Sequence, residues 1–332
     1  MEAVPFAEVE DAYDRLVAAS APALGADSVC STTRWILPAA AAFAPGGQPR
    51  VWQVEHGIVA LLEHENPKGP VLTSFDTVWG FATPFVGPDP ELLISEILEA
   101  LLPQLDFYAL SISGVDPASP MFEELQRLAP VGYTDTADRC VGDLGDGFDA
   151  WFERRSSRFR KSLRSALRTC ETAGVSVEAV QPTVPADVNA AIERILAIER
   201  RSWKTDVNSG LIGTDLGFFT RSMSQRFARA GDLRVMFATL DDPNTGARGI
   251  GNTDIGYVIG GVVGDRYRGF QHSFDRDYAD LSIGKLLQYR NIESLAAEGI
   301  VAYDLGMHMA YKESYTDRIE STITLIVADR NR

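Results

Sequence analysis

The chain has 332 residues, 45% of them hydrophobic and 9% aromatic, which is material for two folded domains rather than a disordered or fibrous chain. A formal charge of −15 sets the molecule against DNA and anionic lipid, so any polyanion has to bind a local basic patch. The start, Met1-Glu2-Ala3-Val4-Pro5, has no basic leader segment, and the longest near-apolar run, Trp35 to Ala44, is short and interrupted by Pro38; the expectation is a cytoplasmic protein without membrane insertion.

In chain order, the first part alternates strand-like and helix-like stretches. Val51 to Glu63 reads as extended, and Val71 to Phe85 as β-rich through its Thr, Val, Trp and Phe. Pro88 to Gln104 has helical spacing with proline at both borders. "DFYALSIS" then reads as a strand and "SPMFEELQRLA" as a short helix capped by Ser119 ahead of Pro120. In the second part, Phe148 to Gly174 reads as one long helix ending at glycine, followed by the strand "VSVEAV" and a helix over Pro185 to Trp203. "LRVMFATL" is a buried strand, and "DIGYVIGGVVGDRYRGFQHSF" two strands turning at Gly264-Asp265. A glycine-rich connection between Leu240 and Thr253 precedes that hairpin. A helix from Ile283 and the strands "VAYDL" and "STITLIV" complete the chain. The fold class is α/β, with a boundary near residue 145 dividing an N-terminal half, 1–145, from a C-terminal half, 146–332. Cys30, Cys140 and Cys170 are odd in number and widely spaced, which fits reduced packing residues better than disulfides or a zinc site.

Two features carry chemistry. Gly284-Lys285 stands at the mouth of the helix from Ile283, but Ala279 and Leu286 occupy positions where a phosphate-binding Walker loop needs glycine and Ser or Thr. No G-x-G-x-x-G follows a strand either. What remains is a helix N-terminus whose free amides accept an anion, with Ser282 as the alternative, an ordinary cap. The second feature is the run Arg154, Arg155, Arg158, Arg160, Lys161, Arg164 and Arg168, with Phe152, Phe159, Leu163 and Cys170 as its apolar stripe. Pairing with local acids and binding of a polyanion both account for such a face. On the strand Arg266 to Phe274, alternation sets Gln271 on the side of Tyr267 and Gly269, opposite Arg268 and Phe270. Trp203, four residues after Glu199, shares its helix face and reads as core, with an acceptor-pocket wall as the alternative.

"FRKSLRSALRTCETAG", "IERRSWK", "YRGFQHSFDRDYADLSIGKLLQYRNIESLAAEGI" and "YDLGMHMAYKESY" occur in an order and spacing that resemble the GNAT (N-acetyltransferase) superfamily. The likeness is to the branch found with the cellulose-biosynthesis protein CelD, related to Fem-type aminoacyl transferases. It spans most of the chain and implies two tandem GNAT-like halves, mixed sheets flanked by helices. Leu281-Ser282-Ile283 replaces the Pro-Gly usual in the branch, and His308 stands where a glycine is common.

The resemblance implies an acyl-CoA co-substrate, with its pyrophosphate on Ser282, Gly284 and Lys285 and further contacts from Gln271, Arg158 and Lys161. It implies no metal. Acyl transfer to an amine needs a base, for which Glu199, Asp304 and His308 are the candidates, and a proton for the thiolate, from Tyr311 or Tyr278. Asp304 could instead hold Lys312 or cap a turn. The expected function is an N-acyltransferase acting on a small-molecule or peptide amine, its N-terminal half shaping the acceptor pocket. An aminoacyl-tRNA-dependent transferase and a non-catalytic ligand-binding protein are the alternatives. Oligomeric state leaves no signal in the sequence.

Overall fold

A computed structural model describes residues 3–24, 27–104, 106–128, 131–204, 210–240 and 253–328. The glycine-rich connection before the hairpin at Thr253 lies outside the described residues. The chain forms two compact units, Met1–Asp138 with Glu320–Arg332, and Arg139–Ile319.

The first stretch of chain supplies α1 (Phe6–Leu24), α2 (Thr33–Phe43), β1 (Gln48–Val54), β2 (Gly57–His64), β3 (Val71–Thr73), β4 (Phe85–Val86), α3 (Pro90–Glu96), β5 (Ala109–Val115), α4 (Pro120–Leu128) and β6 (Val131–Asp143). Then come α5 (Gly147–Glu153), α6 (Ser157–Thr172), β7 (Val175–Val180), α7 (Pro185–Glu199), α8 (Asp215–Arg229), β8 (Leu233–Leu240), β9 (Thr253–Val263), β10 (Arg266–Phe274), α9 (Ile283–Ala297), β11 (Ala302–Met307) and β12 (Arg318–Ala328). The mixed α/β class holds.

Four elements differ from the sequence reading, each for a local reason. Val51 to Glu63 is a hairpin rather than one extended run, its turn held where the Glu55 and His56 amides donate to the Glu96 carboxylate at 2.8 and 3.0 Å. Of Val71 to Phe85 only the ends are strand. Between them the buried Asp76 carboxylate accepts from the amides of Val78, Trp79 and Phe81, which takes those donors out of any ladder. The long helix is broken after Glu153: Ser156 sits at φ −58°, ψ 148° and its Oγ accepts from Phe159 N at 3.2 Å, starting α6 afresh. Finally, α7 stops at Glu199, short of Trp203. α8 occupies a stretch to which the sequence reading assigns no element.

Each unit repeats one strand grammar. In the first, β1, β2 and β3 are antiparallel neighbours, β3 runs parallel to β5, and β5 antiparallel to β12. In the second, β7 to β10 form the antiparallel series, β10 runs parallel to β11, and β11 antiparallel to β6. In both units the parallel pairing lasts three residues, Val71–Thr73 with Ala109–Ser111 and Arg266–Arg268 with Ala302–Asp304, and then stops. Apolar side chains fill the first unit around Leu61, Phe85, Ile94 and Ile112, and the second around Trp151, Tyr267, Ile292 and Tyr303.

The last rung in the second unit is an ion cluster. Asp304, fully buried, accepts at Oδ2 from Arg268 Nη1 at 2.7 Å and Arg139 Nη1 at 3.3 Å, with Arg266 Nη1 at 3.6 Å. Oδ1 accepts from Gly306 N at 2.7 Å. Burial alone would raise the carboxyl pKa, but the three guanidiniums and the Gly306 amide hold it below its ordinary value. Its stabilising contribution is therefore present above the usual carboxylate range and lost as pH falls through the lowered value. Asp304→Asn leaves Arg268 and Arg139 buried without their counter-charge and is expected to destabilise the fold by roughly 3–5 kcal/mol, read as a shift of the urea midpoint, with Arg266→Gln costing far less.

Candidate active site

Past the Arg268–Asp304 rung a cavity of about 990 Å³ opens, walled by β10 from Gly269 to Phe274, by Tyr303 and Leu305 of β11, and by the starts of α6 and α9. β10 reaches it through a bulge. Gly269 pairs with Gly260 but Gln271 with Ile259, so Phe270 is an extra residue. The inserted residue inverts the alternation read from sequence: Gln271 falls on the face of Arg268, not on that of Tyr267 and Gly269.

At the mouth of α9, Ser282 adopts φ 59°, ψ 39°, the sole positive φ at a non-glycine among the described residues. Its carbonyl accepts from Lys285 N and Leu286 N at 2.9 and 3.3 Å, while its hydroxyl makes no capping bond and lines the cavity. The ordinary cap is thus not what Ser282 provides. The first-turn amides that remain, those of Ile283 and Gly284, have no carbonyl of their own helix to meet and lie at the positive end of its dipole. A Cβ on Gly284 would rest 3.7 Å from the Phe274 ring, an ordinary contact, so packing does not require glycine there. Lys285 Nζ donates to Ser162 Oγ at 2.9 Å, tying α9 to α6, and Arg158 lines the cavity one turn before Ser162. Lys161 is exposed and outside the lining.

The basic run divides. Arg154 and Arg155 both pair with Asp317, and Arg155 Nη1 also donates to Thr316 O at 2.8 Å. Arg158, Lys161 and Arg168 have no ion-pair partner among the described residues.

Two lysines and a histidine form the deep wall. Lys204 Nζ donates to Gln271 Oε1 at 2.6 Å and His272 O at 2.8 Å and lies 3.7 Å from Glu199 Oε1; burial lowers its pKa while Glu199 opposes the shift. Lys312 Nζ donates to Met307 O at 2.8 Å, and no carboxylate among the described residues comes within ion-pairing distance. Burial, Arg268 and Lys204 push Lys312 down to about 8. His272, beside both lysines, is pushed down to about 3 by burial and their charge, so it is a neutral imidazole at physiological pH. The half-exposed Tyr311 is pushed up to about 12, chiefly by burial of its hydroxyl side.

Of the residues proposed from sequence, the structure brings Arg158, Gln271, Ser282, Gly284, Lys285 and Tyr311 to one cavity. Glu199 is buried behind it, accepting from Tyr257 OH at 2.8 Å and Leu211 N at 3.3 Å, and meets the wall at Lys204. Asp304 sits in the ion cluster and His308 on the surface against Glu313 at 3.1 Å; neither lines the cavity. Tyr278 packs on the core beside Ile283. Trp203 is not core: it is 50% exposed on the rim, because α7 ends before it. Lys204, His272, Ser273 and Lys312 line the cavity without being among the site residues that the sequence indicates. Lys204 and Lys312 belong to the quoted Trp-Lys and Tyr-Lys pairs, which was the signal; the buried Ser273 Oγ, without a hydrogen-bond partner, left none.

Residues 157–313 match the profile of the acetyltransferase (GNAT) domain. The match covers the α6 and α9 mouths and both lysines. No curated protein matches by sequence. Solved structures match over the whole fold. FemX superposes with a TM-score of 0.72 at 11% identity, covering 100% of this chain and 98% of its own. The C-terminal domain of a candidate lysylphosphatidylglycerol synthetase from Agrobacterium fabrum follows at TM-score 0.57, 14% identity and coverages of 98% and 92%. L-PGS from Bacillus licheniformis gives 0.56, 10%, 96% and 92%. At these identities the likeness is one of fold, a tandem pair of GNAT-like halves. Among the described residues no His, Cys, Asp or Glu cluster is placed to hold a metal ion, and no helix is long and apolar enough to cross a membrane.

Two measurements check this wall. Lys312, selectively observed after ¹³C-methylation, should titrate with a midpoint near 8 while surface lysines titrate near 10. Because its folded value lies below the unfolded one, its charged form is penalised by folding, and this group's contribution to stability rises with pH between the two. Ser282→Gly should raise stability by about 1 kcal/mol in urea unfolding, by relieving a left-handed backbone that costs a side chain that much.

Proposed function

We propose that the chain is an acyl-CoA-dependent N-acyltransferase of the CelD-associated branch, forming an amide on a small-molecule or peptide amine, with its active cavity in the second unit. The observation that carries the reading is the α9 mouth: the Ile283 and Gly284 amides left without a helix carbonyl, a cavity-facing glycine that packing does not demand, and Lys285 and Arg158 on the same cavity. A pyrophosphate fits that chemistry, and Lys161 on the outer face of α6 would serve a more distant phosphate.

The remaining wall suits acyl transfer. A thioester carbonyl that gains negative charge during attack is stabilised by a nearby ammonium, and Lys312 is a buried one with no carboxylate in ion-pairing contact among the described residues, Asp304 acting on it only from a distance. The departing thiolate needs a proton. A thiol ionises near about 8.5, so transfer from Lys312 is close to thermoneutral, whereas transfer from Tyr311 is uphill by several units. Tyr311 is better suited to donating a hydrogen bond than a proton. His272 stays neutral and accepts a hydrogen bond from the acceptor amine without adding charge, and the proton that the amine nitrogen releases on becoming an amide restores the Lys312 ammonium that protonated the thiolate. Lys204, steadied by Glu199, fixes Gln271 by its carbonyl end and leaves the amide NH₂ for the ligand.

The unpaired charges of α6 favour a second reading, an aminoacyl-tRNA donor, to which the FemX-like fold also lends itself. Cytoplasmic location goes with either.

Thermal shift with free CoA, acetyl-CoA and longer acyl-CoAs tests the first reading: a ligand at one hundred times its Kd should stabilise by about 2.7 kcal/mol. Gly284→Val should abolish that shift with circular dichroism unchanged, and Lys285→Ala should weaken it only modestly, since backbone amides supply most of the grip. No shift with any thioester, together with salt-sensitive binding of charged tRNA, would put the second reading in its place. Once an acceptor is found, Lys312→Met should lower kcat by ~10²-fold or more with little change in CoA affinity, and Lys312→Arg should not restore it, because arginine gives up no proton near neutrality.

A further inference from the structure

A second cavity, of about 530 Å³, lies wholly within the first unit. It occupies the place in that unit's strand grammar that the 990 Å³ cavity occupies in the second. The last parallel rung is Thr73 opposite Ser111; β3 then ends and its chain leaves β5, and the cavity is bounded by Ser74 to Gly80 on one side and Ser111 and Ser113 on the other. Where parallel strands part beyond their carboxyl ends, the gap is where open α/β sheets take ligands.

The lining chemistry of this gap is opposite to that of its counterpart. No lysine or arginine among the described residues lines it. Hydroxyls of Thr73, Ser74, Thr77, Ser111 and Ser113 line it, with the exposed Asp135 carboxylate and the Trp79 indole. Some of that hydrogen-bonding capacity is spent. Ser113 Oγ donates to Asp76 O at 3.2 Å and Ala82 O at 3.0 Å, and Thr73 Oγ1 meets His64 Nε2 at 3.0 Å. The rest is not. Ser74, only 3% exposed, accepts from Ser113 N at 2.9 Å, and its own proton has no acceptor among the described residues. The Ser111 and Thr77 hydroxyls make no hydrogen bond among the described residues either. A buried donor without an acceptor costs free energy until something supplies one.

We propose that this cavity binds a polyhydroxylated, non-anionic ligand of the monosaccharide class. Ring hydroxyls accept from Ser74 and exchange hydrogen bonds with Ser111 and Thr77, Asp135 accepts from hydroxyls or an amino group, and an apolar ring face lies against Trp79. A carboxylate in the lining and the lack of any cation exclude phosphorylated sugars and nucleotides. The site stands independently of the acyltransferase reading, because none of its residues belongs to the second unit.

The test is isothermal titration and saturation-transfer NMR of the full chain with D-glucose, D-glucosamine and myo-inositol, and with D-glucose 6-phosphate as the charged counterpart. At least one uncharged or cationic probe should bind with a millimolar Kd, and the phosphate at least about tenfold more weakly than glucose. Asp135→Ala and Ser111→Ala, both with parental circular dichroism, should each weaken binding by about fivefold or more. Gly284→Val, in the other unit, should leave it unchanged. The proposal falls if no probe gives a saturable response up to about 50 mM, if the phosphate binds as well as glucose, if both alanine variants bind like the parent, or if Gly284→Val removes sugar binding.

Discussion

The second unit is organised around the rung where Arg268 meets Asp304. Up to that rung β10 and β11 are hydrogen-bonded neighbours; past it they separate. Strands that part in mid-sheet expose backbone donors and acceptors that would otherwise pair, and something has to end the pairing at a defined residue. Here that is a buried carboxylate of β11 serving three guanidiniums, one from β6 and two from β10, with the Gly306 amide on its other oxygen. The cluster pins three strands at the vertex. Its cost in desolvation is large, so specificity of geometry rather than stability is what it provides.

The bulge at Phe270 and the left-handed Ser282 complete the opening. The bulge carries Gln271 onto the face where Lys204 waits, and Ser282 turns the chain so that α9 begins with its amides toward the cavity. Both are local departures from regular geometry, and both lie on the wall of one cavity. Strained or irregular backbone gathers at sites for the reason that regular backbone satisfies its own polar groups and leaves none for a ligand.

Charge on this acidic chain is concentrated where ligand chemistry would use it. Arg154 and Arg155 share the Asp317 carboxylate, whereas Lys312 has no ion pair among the described residues and Lys204 is held mainly by neutral oxygens. Burial and then the two ammoniums depress the proton affinity of His272, and burial, with Arg268 and Lys204 adding to it, depresses that of Lys312, as expected for like charges sharing a dry site. The first unit shows the same strand plan with the charge removed and hydroxyls in its place.

What the sequence determined by itself is what local chemistry controls. Periodicity located α6 to within its start, the Gly264 turn joined β9 to β10, Ser119 capped α4, and the Gly-Lys pair marked the helix mouth. The order of motifs carried the tandem α/β plan, since that order reflects which elements are neighbours in chain and sheet alike. What only the tertiary structure decided depends on partners distant in sequence. Whether Glu199, Asp304 or His308 faces a cavity turns on Tyr257, Arg139 and Glu313, which lie too far along the chain, or too free on a surface, for spacing to reveal. Strand alternation could not foresee a bulge, so Gln271 was given the wrong face. The Tyr-Lys pair marks Lys312 in the sequence, but its meaning comes from burial and from having no carboxylate within ion-pairing distance among the described residues, and both are properties of packing.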